Sequence, residues 1–297
     1  MYSSELYPGA ALIATGLSLH GYRKGSLSRS GAIAAWVVGY GHLANPLKLF
    51  GTTMIVFYLV GSRATKVKAQ VKATLEDGPD PSKPGGNRNA IQILSNSLPS
   101  LLAALAYRFS DAAKHFVHTV PIGRGLIFAA LGHLSCCLAD TLASELGILS
   151  TSPPRSILTL TPVPPGTNGG ISPLGLAVSA LGGGLIGLAG VVDLLIESPA
   201  LRSGATGWGW AGEMVLFCTA AGLAGSLLDS LLGATLQETL YSTKEGKILT
   251  DLSTRQSRSE PGVKRIGIGR DVLSNSAVNF VSGFAIAAAG WWYATKL

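Results

Sequence analysis

The sequence predicts an all-α fold, a polytopic membrane helix bundle of about seven to eight transmembrane helices with some short or re-entrant. Three observations predict it. Only 13% of the 297 residues are charged, about half the roughly 25% of soluble globular chains. Hydrophobic residues reach 47% and mean hydropathy is +0.38, so too few charges remain to cover a solvated surface. The apolar residues fall in long low-charge stretches, and the cations behind the net charge of +7 gather between them. The same composition excludes disorder, a disulfide scaffold and collagen. Residues 1–297 read as a single integral membrane domain in a lipid bilayer.

In chain order, residues 6–19 form a short apolar segment. Residues 31–60 form a longer one, interrupted by Asn45-Pro46. Proline lacks an N–H donor and disfavours helix in the residue before it, so this dipeptide marks a turn between two short spans. Residues 91–107, 123–149, 174–196, 210–240 and 272–293 supply the remaining stretches. The first three helices are shorter than the roughly 20 residues of a full crossing, which suits a re-entrant pair. Pentapeptide 93–97 echoes 272–276, each expected to open a helix after a basic loop.

Cation placement orients the bundle. Arg23, Lys24 and Arg29 precede the second stretch, and Arg63, Lys66, Lys68, Lys72, Lys83 and Arg88 follow the third helix. Lys244, Lys247, Arg255, Arg258, Lys264, Arg265 and Arg270 precede the last helix, and Arg155 precedes residue 174. All four loops fall on one side, whereas the opposite loops carry little beyond Lys114 and Arg202. By the positive-inside rule the loops near 62–88, 151–173 and 241–270 are cytosolic and both termini lie outside. Trp208, Trp210, Trp291 and Trp292 then fall at the opposite interface, as an aromatic belt does. No cleavable signal peptide or chloroplast-type leader is evident, so an endomembrane location is expected with the organelle open.

Several patterns lose their usual meaning in context. Gly207, Gly209 and Gly212 match G-x-G-x-x-G without a preceding strand. Gly16 and Gly21 have Walker-A spacing, but Tyr22-Arg23 stand where Lys-Ser/Thr is needed. His115 and His118 are too few for a metal site. Cys136, Cys137 and Cys218 read as apolar packing residues, and Gly183 and Gly187 as a close helix contact. The basic loops have little aromatic interleaving, which argues against nucleic acid as a partner.

The informative exceptions are acids and amides inside the spans. Asp140, with Ser144 one turn on and Glu145 beyond, lies toward the cytosolic end of one helix; Asp229, followed by Gly233, lies similarly in another. A carboxylate within a span costs a few kcal/mol and is a functional candidate by default. Asp140 and Asp229 together suit Mg²⁺ held with substrate phosphates; the competing reading is a pair of acids that only fasten helices. Asp193, Glu213 and Glu238 are weaker cases near interfaces.

Two loop features join them. In residues 161–172 the prolines stiffen the first half, while Gly166, Gly169 and Gly170 permit close backbone approach. Its backbone N–H groups, with Thr167, Asn168 and Ser172, suit an anion; a plain connection is the alternative. Residues 85–92 place Gly85, Gly86, Arg88 and Gln92 before a helix that contains Asn96, and Arg270, Asp271, Asn275 and Asn279 are arranged similarly at the last helix. All these features fall on the side assigned to the cytosol.

Residues 139–147, 162–172 and 225–237, with Gly61-Ser62-Arg63-Ala64-Thr65-Lys66, resemble one family of integral membrane proteins. It includes transmembrane protein 19 of animals and the plant phytyl-phosphate kinase. The resemblance runs from about residue 28 to the C-terminus, and its Ala-Asp-Thr-x-Ala-Ser-Glu and Pro-Val-Pro-x-Gly-Thr-Asn-Gly-Gly segments are specific. Leu142 stands where many relatives have tryptophan, and Pro165 is an added proline, but neither removes a polar group. The resemblance implies a lipid-phosphate kinase acting on an isoprenyl monophosphate, with CTP or ATP as co-substrate. In that reading Asp140 and Asp229 hold Mg²⁺, Glu145 is a further ligand or base, and Arg88 with the Gly166–Gly170 turn binds phosphates. Gln92, Ser144 and Asn275 complete the expected phosphate or nucleotide set. A small-solute or lipid transporter and a non-catalytic membrane protein are the alternatives.

Overall fold

Capping and proline chemistry set the helix boundaries in the computed structural model, which describes residues 6–77, 87–110, 121–205, 207–250, 253 and 255–296. Helix α1 (Pro8–Arg23) starts on a proline, whose fixed φ suits the first turn. Helix α2 (Arg29–Leu43) is capped by Ser28, whose Oγ accepts from the Gly31 N–H at 3.0 Å. The predicted break at Asn45-Pro46 separates it from α3 (Leu49–Ala64). Asn45 holds that turn, donating from Nδ2 to the Ala104 carbonyl at 2.8 Å and accepting from the Leu47 N–H at 3.2 Å.

A one-turn helix, α4 (Ala69–Lys72), leads to strand β1 (Glu76–Asp77). Residues 91–107, read as one stretch, form two helices, α5 (Ala90–Ser95) and α6 (Leu98–Phe109). Pro99 supplies no N–H and its ring excludes the carbonyl four residues back, so the helix restarts. Asn96 stabilises the break by donating to the Gln92 carbonyl at 2.9 Å. The 93–97 echo therefore closes one helix, whereas 272–276 opens another.

Helix α7 (Pro121–Gly147) is apolar all round and occupies the centre, as such helices do. Beyond it come β2 (Arg155–Ser156), β3 (Gly170–Ile171), α8 (Pro173–Glu197), the short α9 (Pro199–Arg202) and α10 (Gly209–Leu236). Strands β4 (Thr239–Ser242) and β5 (Lys247–Leu249), a short α11 (Arg255–Arg258), β6 (Val263–Ile266) and α12 (Asn275–Lys296) complete the order. Helices α8, α10 and α12 surround α7, which α3 and α6 also contact, while α1 lies on α2. Glycines bring the helices close, because a Cβ on Gly183 of α8 would sit 2.2 Å from the Cys218 carbonyl of α10.

Among the described residues three helices, α7, α8 and α10, are long and apolar enough to cross a membrane, and α3 and α6 are shorter apolar helices. Helices α1, α2 and α3 have 15 or 16 residues, about 24 Å against a hydrocarbon core of about 30 Å. The basic loops depart from an all-α description. Strands β1-β5-β4-β6 form a four-stranded sheet, with β4 antiparallel to β5 and β6 and β1 parallel to β5; β2 and β3 form an antiparallel ribbon. Residues 237–240, assigned to a helical stretch, leave the helix, and Thr239–Ser242 pairs instead. The hairpin turn uses Gly246 at φ +69°.

The basic loops gather at one end. Ser26 and Ser28 bond to the Arg88 backbone, Gly61 lies against Thr141, and the Arg270 N–H bonds to the Thr235 carbonyl. At the other end Arg124 pairs with Glu213, which also accepts from the Tyr293 hydroxyl at 3.0 Å. The four tryptophans of the expected belt sit at that end, at the start of α10 and the end of α12. Lys83, Gly85, Gly86, Lys114, His115 and His118 lie outside the described residues.

Candidate functional site

The geometry of the site begins with a helix contact. Cys136 of α7 and Gly225 of α10 touch so closely that a Cβ on Gly225 would lie 2.4 Å from the cysteine sulfur. Both helices run toward the basic end, and one turn beyond the contact on each stands an aspartate, Asp140 and Asp229. Their side chains neighbour each other and line one cavity. Asp229 is buried and its Oδ2 accepts from the Ser282 hydroxyl of α12 at 3.0 Å; Asp140 is half-buried.

Among the described residues no cation pairs with either acid. Two like charges held side by side repel, and a shared proton or a bound cation would offset that repulsion. Among the described residues no group of three His, Cys, Asp or Glu side chains is placed to hold a metal ion. Two hard carboxylates on separate helices beside open space do fit Mg²⁺, which keeps waters and takes phosphate oxygens for its other positions.

Both aspartates line a cavity of about 1140 Å³, larger than the roughly 300–1,000 Å³ typical of one small ligand. Arg88, Gln92, Ser144, Glu145 and Asn275 line it too, as do Gly166, Thr167, Asn168, Gly169, Gly170 and Ser172. The structure thus brings every predicted site residue to one space, with differing freedom. Arg88 is anchored through its backbone to Ser26 and Ser28 at 3.1 and 3.0 Å. Burial draws its guanidinium pKa below the ordinary value and Glu145 opposes this, yet among the described residues the side chain has no hydrogen-bond or ion-pair partner.

Glu145, expected to be a ligand or base, is held in an ion pair by Lys72. Lys72 Nζ also donates to the Thr65 and Ala64 carbonyls at 2.9 and 3.2 Å. Gln92 closes a capping box with Asn89, its Oε1 accepting from the Asn89 N–H at 3.0 Å. Ser144 is exposed and donates to the Thr141 carbonyl.

The glycine-rich loop is more occupied than its composition suggests. Thr167 donates to the Pro164 carbonyl at 2.7 Å, and the Asn168 amide and N–H bond to Glu238 and Thr239. Ser172 caps α8, accepting from the Gly175 N–H at 3.0 Å. Gly169, at φ +76°, lets the loop lie on α10, since a Cβ there would be 2.3 Å from that of Ala234. The N–H groups of Thr167, Asn168 and Gly170 are used within the fold, so this loop shapes the wall and offers a phosphate few free donors.

Sequence reasoning passed over Glu76 and Lys72, both half-buried in a loop read as solvated. The Glu76 carboxylate lies where a Cβ on Gly166 would be 2.6 Å away. Burial, then Glu145, pushes its pKa up to about 7, against Lys72. Two adjacent acids in a two-residue strand give no spacing signal. Ser282, six residues after the noted Ser276, was legible only as a small residue on α12.

The chain matches the family described as Integral membrane protein DUF92 over residues 12–287. It is 35% identical to Protein PGR of Arabidopsis thaliana over 282 residues, covering 92% of this chain and 91% of that protein. An uncharacterized membrane protein of Methanocaldococcus jannaschii is 41% identical over 113 residues, 37% of this chain and 41% of its own length. One from Synechocystis sp. is 28% identical over 197 residues, 62% of each. No solved structure matches the chain. The match from the first helix into the last, with the apolar helices described above, places the chain in the DUF92 family of multi-pass integral membrane proteins.

Proposed function

We propose that the protein is a lipid-phosphate kinase of an endomembrane, transferring phosphate from CTP or ATP to an isoprenyl monophosphate at the cytosolic face. In this arrangement α1, α2, α3, α5–α6 and α12 join the three long helices as short crossings or re-entrant segments. The observation that carries the reading is charge left open in one cavity: among the described residues, the two neighbouring aspartates have no cation and Arg88 has no acceptor. Phosphoryl transfer needs positioning and charge neutralisation above all. Asp140 and Asp229 would hold Mg²⁺, which would supply charge neutralisation to phosphate oxygens. Arg88 orients a phosphate by charge-assisted hydrogen bonds. An oxygen of the acceptor monophosphate attacks the terminal phosphorus, and the bond to the nucleoside diphosphate breaks. Monoester phosphates have a second pKa near 6, so the attacking oxygen is already deprotonated and no general base is required. Glu145 is thereby left to position Lys72.

A transporter would need polar groups continuing toward the far end. Beyond the aspartates α7 buries mainly apolar residues such as Ile127, Leu131 and Leu134, and its buried His133 and Ser135 lie outside the cavity lining, which supports the kinase reading. Purified protein with Mg²⁺ is expected to convert farnesyl or geranylgeranyl phosphate to the diphosphate, and Asp140→Asn and Asp229→Asn to abolish this. Failure of every donor and prenyl phosphate pair, or full activity in Asp140→Asn, would overturn the proposal.

A further inference from the structure

The cavity has a second arm that phosphate chemistry leaves unused. Away from Arg88 its walls turn apolar, with Ala14 and Leu17 of α1, Ala35 and Val38 of α2, and Met54 and Phe57 of α3. Two contacts fix where this arm begins. A Cβ on Gly31 would meet the Arg88 carbonyl at 2.0 Å, and one on Gly61 would meet Thr141, the neighbour of Asp140, at 3.6 Å. Gly31 and Gly61 therefore stand level with the charged end. From there the lining reaches Leu43 on α2 and Met54 on α3, about 18 and 10 Å of helix respectively. That depth matches about one leaflet of a hydrocarbon core about 30 Å thick.

The arm is a slot. Helix α1 lies against α2, and α3 against α2, α7 and α8, while α1 and α3 make no substantial contact with each other. Leu12 and Ile13 of α1 and Leu59 of α3 are exposed on the flanking surfaces. A nucleotide placed in such an arm would leave polar groups without partners. A hydrocarbon chain would not, and each buried CH₂ strengthens its binding about fourfold.

We infer that the slot between α1 and α3 holds the hydrocarbon tail of an amphiphilic phosphate ligand, and that Ala35 and Gly39 set the tail length it accepts. The inference rests on the kinase reading for the ligand's head, which lies at Arg88 and the aspartates. Ala35 and Gly39 are small residues one turn apart on the slot floor. A Cβ on Gly39 meets only Ala14, at 3.6 Å, so space remains there for tail atoms or a larger side chain.

The test uses the full chain in lipid nanodiscs and measures binding of geranyl, farnesyl and geranylgeranyl monophosphate, and of farnesol, relative to empty discs. The wild type is expected to bind the phosphates more tightly as the tail lengthens. Ala35→Phe and Gly39→Leu are expected to weaken geranylgeranyl phosphate about tenfold or more while sparing geranyl phosphate. Val37→Phe, at an exposed position outside the slot, controls for bulk on α2 and should match the wild type. Arg88→Gln should weaken all three phosphates alike and leave farnesol unchanged, which separates head from tail. Equal affinity for all tail lengths in the wild type overturns the inference. So does an unchanged length order in Ala35→Phe and Gly39→Leu when both fold. If length preference is found but no donor supports transfer, the kinase reading falls and the tail slot stands.

Discussion

Replacing Gly225 by alanine tests whether one close helix contact sets the aspartate pair. The added Cβ would lie 2.4 Å from the Cys136 sulfur and 2.6 Å from its Cβ. Nonbonded carbon atoms settle at about 3.5–4.0 Å, so α7 and α10 must separate there by about 1 Å. Overpacking of this kind costs about 1–3 kcal/mol. The aspartates are one turn beyond the contact and move apart with their helices. A misplacement of about 1 Å in a reacting arrangement costs about a hundredfold in rate. Gly225→Ala should therefore lower the Tm modestly, weaken Mg²⁺-dependent thermal stabilisation, and cut transfer about a hundredfold. Cys136→Gly removes the opposing side chain, so the double variant should recover most of both losses. The assay is thermal unfolding in nanodiscs across a Mg²⁺ titration, with phosphate transfer alongside. A folded Gly225→Ala protein with unchanged Mg²⁺ response would refute the link between contact and site. So would a folded double variant that recovers nothing.

Two further outcomes are expected from the charges around the pair. Glu76, with its pKa raised from 4.5 to about 7 in the folded protein, binds more protons there than in the unfolded chain over that interval. Stability should fall as pH rises from about 4.5 to about 7, and Glu76→Gln should flatten that slope and raise the Tm above neutral pH; an unchanged pH profile contradicts this. Lys72→Met leaves Glu145 without its partner and should cost about 2 kcal/mol. That is less than a fully buried pair, because the Glu145 side chain keeps 28% exposure. Denaturant unfolding of Lys72→Met against Lys72→Met/Glu145→Gln measures it, and equal loss in both would show that the ion pair is not the cause.

Features that act through composition and short-range chemistry were legible in the sequence. Low charge marked the membrane, Asn45-Pro46 marked a break, and intramembrane acids marked Asp140 and Asp229 as exceptions. The α5/α6 break was equally written in Pro99 but was masked by the apolar run on either side. The four-stranded sheet was not legible because its strands are two to four residues long and lie in loops rich in lysine and arginine, so charge density resembled a solvated loop. Its turn signal at Gly246 was present, whereas the parallel pairing of Glu76–Asp77 with residues 248–249 depends on distant chain segments. The glycine-rich loop shows a different limit. Its glycines indicate close approach correctly, but sequence cannot say whether the approaching group is a phosphate or, as at Gly169, the backbone of α10.

The spacing of opposite charges in the cavity is itself an argument about what the site receives. Lys72 and Glu145 neutralise each other, and their pair is fixed by two backbone carbonyls. Arg88 is held instead by its own backbone at Ser26 and Ser28, on the α2 and α5 side of the cavity, while the aspartates project from α7 and α10. Had the guanidinium reached the carboxylates, a bidentate pair would have satisfied both and fastened the helices. Among the described residues this separation leaves both the guanidinium and the carboxylates without a partner of opposite charge, facing one volume. A purely structural role for the acids offers no reason for that separation. A phosphate bound with a divalent metal would suit both, because Arg88 could donate to its oxygens and Asp140 and Asp229 could hold the metal.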